Sequence, residues 1–98
     1  MVAKKKKIEH IGIIGRRWFE KRNGNTYHTA EIFVNGRKVH KLGVSYGGGS
    51  MYEQNAVEWL KANGYFPKDA SPILWHVAQD MGFTKDSGAI DVPRKKDL

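Results

Sequence analysis

The sequence predicts an α+β domain: a three-stranded antiparallel sheet followed by two helices packed on one face. Three observations carry that expectation. Residues 8–46 hold three runs rich in β-branched and aromatic residues, separated by the turn-forming stretches "RNGNT" and "NG". Residues 50–82 hold two stretches whose apolar residues recur at the helical period. Strands come first and helices after, which is the order of an α+β chain rather than an alternating one.

The first strand is expected over "IEHIGIIGRRWFEK", residues 8–21, where Gly12 and Gly15 would weaken it or mark a bulge. "YHTAEIFV" is the second strand and "RKVHKLGVSY" the third. The Asn-Gly between them is the strongest short-range hairpin signal. A two-residue turn there would pair Val34 with Arg37 and leave both faces mixed. A three-residue loop sorts them better. Ala30, Ile32, Val34, Leu42, Val44 and Tyr46 then share the buried face, and Tyr27, Glu31, Phe33, Arg37, Val39 and Lys41 share the other.

Ser50-Met51-Tyr52-Glu53 fits the S-x-x-E capping box and opens the first helix, "MYEQNAVEWLKAN". Tyr52, Ala56, Val57 and Leu60 form its stripe toward the sheet, and Asn63-Gly64 stops it. Ser71-Pro72 is expected to start the second helix. Ile73, Leu74, Val77, Ala78 and Met81 form its apolar side, and Gly82 ends it. Residues 1–7 read as a disordered basic tail, 8–82 as the single domain, and 83–98 as a C-terminal tail with a short apolar island, "AIDV".

Charge narrows the function. The net charge is +7 over 98 residues, and it is unevenly spread. Residues 1–50 carry eleven Lys and Arg against three acids, whereas residues 51–98 carry six against seven. A basic half of this kind suits a polyanion. There is no cysteine, which excludes disulfides and thiolate zinc sites and fits a reducing cytoplasm. No apolar run reaches membrane-spanning length, and the basic N-terminus lacks the apolar stretch of a secretory signal. His10, His28, His40 and His76 stand in no metal-ligand spacing, although His28 and His40 could share a hairpin face. No serine sits in a nucleophile elbow. The expectation is therefore a protein that is not an enzyme and needs no cofactor or metal.

The expected ligand is nucleic acid, DNA in preference to RNA. Cations neutralise phosphates, aromatic rings stack on bases, and a sheet can enter a groove. The expected binding residues are Arg16, Arg17, Trp18, Tyr27, Phe33, Arg37 and Lys41 on the open sheet face, with Lys4, Lys5, Lys6 and Lys7 in the tail. The glycine stretch "SYGGGSMYEQ" matches neither a P-loop nor G-x-G-x-x-G. Its amides at Gly47, Gly48, Gly49 and Ser50 precede a helix N-terminus and form a candidate anion site. Glu53 in the first turn opposes that role, so the stretch reads first as a flexible joint.

Two resemblances follow. "GNTYHTAEIFVNG", then "SYGGGSMYEQNAVEWL", within residues 23–60, resembles small uncharacterised bacteriophage proteins, which implies a phage origin and, with it, the host cytoplasm. The stretch "GRRWFEKRNGNTYHTAEIFVNGRKVHKLGVSYGGGSMYEQNAVEWL" is similar to the β-β-β-α domains of AP2 proteins and integrase arm-binding modules, with Arg16, Arg17, Trp18, Glu31 and Leu42-Gly43 at matching positions. Those domains lay a three-stranded sheet in the DNA major groove. The glycine loop and the second helix depart from that pattern. The alternative expectation is a counter-defence or host-takeover protein that binds a host protein, or holds a nucleotide second messenger at the glycine loop.

Overall fold

A computed structural model describes residues 7–98. Lys4, Lys5 and Lys6 lie outside the described residues. The chain runs β1 (His10–Glu20), β2 (Asn25–Val34), β3 (Arg37–Tyr46), α1 (Met51–Ala62), α2 (Leu74–Met81) and β4 (Thr84–Val92), then a single 3-10 turn at Lys95–Asp97. The α+β class is as expected. The sheet differs: it has four strands in the order β3-β2-β1-β4 and is mixed rather than purely antiparallel. β4 lies beside β1 and parallel to it. It arises from the segment expected to be a tail. "TKDSGAIDV" is polar and contains a glycine, so its local propensity for strand is low. It is an edge strand whose order comes from pairing with β1, from His10↔Thr84 to Trp18↔Val92.

The β2–β3 hairpin corrects the expected register. Val34 pairs with Arg37, so the turn has two residues, with Asn35 at φ 52° and Gly36 at φ 83°. Positive φ at both positions is the type I′ geometry that matches strand twist. Two irregularities then shift the pairing, between Ile32 and Phe33 and between His28 and Ala30. Each adds one residue on β3 and exchanges the faces. Ala30, Ile32 and Leu42 do share the helix side. Val44 and Tyr46 do not: both are exposed, and Tyr46 pairs with Tyr27 on the open side. Arg37 faces away from Phe33 and Lys41, at the hairpin tip.

The core sits between one sheet face and the two helices. Ile11, Ile13, Ala30 and Ile32 meet Tyr52, Ala56, Val57 and Leu60 of α1 and Leu74, Val77 and Ala78 of α2. The α1 stripe is the expected one. Ile73 and Met81 are instead exposed. β1 pairs with β2 without a bulge. Gly15 is there for space: a Cβ on it would stand 2.5 Å from the Tyr52 ring. The helix therefore closes onto β1 at a position that tolerates no side chain.

α1 starts where expected but is capped differently, and α2 starts later than expected. Ser50 is the N-cap of α1 but makes no side-chain cap bond, and its hydroxyl lies 3.4 Å from Gln54 Nε2. Glu53 does not reach back. Its Oε2 accepts a 2.6 Å hydrogen bond from Ser87 Oγ on β4, a partner that local sequence could not supply. α2 begins at Leu74 rather than Pro72, and Ser71 Oγ accepts from the Ile73 amide in the turn before it. Both stops are as expected, with Gly64 and Gly82 at φ 82° and 79°.

Candidate nucleic-acid interface

Strand alternation fixes what the open face carries. β1 contributes Gly12, Ile14, Arg16, Trp18 and Glu20, and β2 contributes Tyr27, Thr29, Glu31 and Phe33. After its two shifts, β3 contributes Lys38, Lys41 and Tyr46. One end of this face is aromatic. Trp18 and Tyr27 stack at 5.8 Å between ring centroids, and Tyr46 meets Tyr27 edge-on at 5.7 Å. The row spans three strands and ends in Tyr46, which is 68% exposed.

The middle of the face is charged. Glu31 Oε2 accepts from Lys38 Nζ at 2.9 Å. That bond, with the nearby charges of Lys38, Arg16 and Lys41, holds the Glu31 carboxyl below its ordinary pKa against the opposing effect of burial. Three cations thus surround one anion, so the patch is net positive. The far end is apolar: Gly12, Ile14, Phe33, Gly88 and Ile90 line a shallow groove of about 510 Å³ with His10 and Asp86 at its margins.

The C-terminal segment crosses this face. It leaves β4 at one edge of the sheet. Lys95 lines a cleft of about 200 Å³ with Trp18, Glu20, Tyr27 and Val44. Leu98 reaches β3 at the other edge, its main-chain oxygen 3.5 Å from Lys41 Nζ. An Arg94–Asp97 ion pair at 3.4 Å holds the turn between. Thr29, at the centre of the face, is only 3% exposed, as a covered position would be. The face expected to be open to solvent is thus strapped across its middle.

Of the residues expected to bind, Arg16, Trp18, Tyr27, Phe33 and Lys41 share this face, with Phe33 at the apolar end over Gly12. Arg17 is on the helix side, where Nε donates to Asp91 at 2.9 Å and Nη1 to the Gly49 carbonyl at 3.1 Å. Lys7 is exposed, and its carbonyl accepts from Asn35 Nδ2. Tyr46, Lys38, Glu20 and Lys95 belong to the surface although sequence reasoning missed them. The missed features were the bulges in β3 and the pairing of the polar C-terminal segment with β1 as a fourth strand.

The glycine loop is tied down on several sides. The Gly47 amide donates to the Thr26 carbonyl, and the carbonyls of Gly47, Gly48 and Gly49 accept from His28, the Met51 amide and Arg17. His28 is 2% exposed. Its Nδ1 faces the Gly47 carbonyl at 2.8 Å, and a carbonyl only accepts, so Nδ1 carries the proton. Its Nε2 then accepts from Asn55 Nδ2 at 2.8 Å. His28 and His40 do share the helix side, but in different settings: His40 stacks on Trp59 at 4.5 Å.

Among the described residues, no group of three or more His, Asp or Glu could hold a metal ion, and no helix is long and apolar enough to cross a membrane. No protein family, curated protein or solved structure matches this chain.

Proposed function

We propose that the protein binds nucleic acid through the strapped face of its sheet. The observation that carries this reading is the Trp18–Tyr27–Tyr46 row beside Arg16, Lys38, Lys41 and Lys95. Rings supply stacking surface, worth about 1–3 kcal/mol per base. Cations supply sequence-independent attraction to the backbone through counterion release. The Lys-rich N-terminus and the overall charge of +7 add to the same field. Glu31 limits the charge at the centre and keeps Lys38 in place.

Fluorescence anisotropy of labelled DNA and RNA oligonucleotides at low ionic strength tests the reading. Binding that weakens steeply with salt is expected, and Tyr46→Ala should lower affinity about tenfold, the equivalent of one stacked base. No binding of any oligonucleotide at low salt would refute it. Arg17→Ala should leave affinity nearly unchanged, since that guanidinium is engaged on the opposite side of the sheet. The likeness to phage proteins and a role in host takeover are proposals of origin and context; they fit a small basic protein but add no binding residue.

A further inference from the structure

The cleft between the aromatic row and the strap has the chemistry of a site for one unpaired base. Trp18 and Tyr27 form its floor, Val44 an apolar wall, Lys95 a cation on the strap side and Glu20 a carboxylate at the end. Its volume, about 200 Å³, is below that of pockets for drug-sized ligands and suits a single ring system. Glu20 Oε2 accepts from Asn23 Nδ2 at 3.0 Å, which orients the carboxylate and leaves most of its acceptor capacity unused.

We propose that this cleft takes an unpaired, amino-bearing base of a single strand, with Glu20 accepting from the exocyclic amino group. The inference rests on the nucleic-acid reading above. A carboxylate accepts from the cytosine amino group, whereas on thymine it meets only the ring N3–H, flanked on both sides by carbonyl oxygens that repel it. The strap argues for a single strand. A layer of chain on a sheet stands on the order of 10 Å above it, comparable to the ~8.5 Å depth of a major groove. The strapped sheet therefore cannot seat its side chains on the base edges of a duplex. A single strand can pass beside the strap, its phosphates toward Lys95, Arg16 and Lys41.

The test compares dodecamers of deoxycytidine and deoxythymidine, a mixed-sequence duplex, and cytidine monophosphate as competitor, all against the full chain. The deoxycytidine strand is expected to bind about tenfold tighter than the deoxythymidine strand and than the duplex. The mononucleotide should compete only at concentrations more than about a hundredfold higher, because it lacks the flanking phosphates. Glu20→Ala should reduce the cytosine preference to less than about threefold while binding deoxythymidine at least as well as the parent does. The removed charge no longer repels phosphate, an outcome that misfolding could not give. Glu20→Gln provides a second variant of nearly the same shape, with a preference between the two. Equal or tighter binding of the duplex or of deoxythymidine would overturn the proposal and leave nucleic-acid binding standing. Equal competition by the mononucleotide would overturn the strand assignment. No binding of any oligonucleotide would instead refute the underlying function.

Discussion

Single residues settle several of the contacts on which the surface depends. Gly15 is the clearest. With a methyl group 2.5 Å from the Tyr52 ring, Gly15→Ala must push α1 off β1, a small-to-large change in a closed core. It should cost about 1–3 kcal/mol in urea unfolding with little change in the slope. Glu31 gives a pH signature. Its folded pKa lies below its unfolded one, so its contribution is present above the unfolded pKa and lost as the pH falls through the folded value. Glu31→Gln should thus lower stability near neutrality by less than about 1 kcal/mol, since the pair is near the surface. The gap between parent and variant should close as the pH falls through the folded value, which lies below the ordinary glutamate range. Thermal melts across pH measure it, and a gap that widened in acid would contradict this.

The β2–β3 hairpin shows how a turn can also serve as a clamp. Asn35 adopts φ 52° in the turn, and its side chain binds the start of the chain. Oδ1 accepts from the amides of Glu9 and His10 at 2.7 and 2.9 Å, and Nδ2 donates to the Lys7 carbonyl at 3.0 Å. Asn35→Gly preserves the turn but removes the clamp. It should cost about 1–3 kcal/mol and speed hydrogen exchange at the amides of Glu9 and His10 in particular. Uniform loss of protection across the sheet would contradict a local clamp. Farther along the same hairpin, the first bulge turns His40 inward against Trp59 and the second turns Tyr46 outward. A bulge is a backbone choice made by packing on both faces. The alternation of residues 37–46 is compatible with several registers.

At the scale of the whole molecule, binding should follow charge. Each phosphate contact contributes about −0.9 to the slope of log affinity against log salt on duplex DNA and about −0.7 on a single strand. Lys41→Ala should therefore weaken binding to all sequences alike and flatten that slope by a little under one. An unchanged slope would take Lys41 out of the interface. The same substitution also removes the contact of β3 with Leu98, so any gain in duplex binding would report a loosened strap.

The sequence by itself determined the α+β class, three of the four strands, both helices with the α1 stripe, and the uneven positive charge. These depend on local periodicity, turn chemistry and composition, which are readable within a few residues. It also brought five members of the surface together, Arg16, Trp18, Tyr27, Phe33 and Lys41. Tertiary structure alone decided the rest. The fourth strand pairs with β1 across more than sixty intervening residues and has little strand propensity of its own. Arg17 left the surface because it lies one residue from Arg16 on a strand, and alternation sends neighbours to opposite faces. Tyr46 joined the surface through the second bulge, and Glu53 left its expected cap for Ser87. In each case a long-range partner outweighed the local preference, and only the assembled sheet makes that partner available.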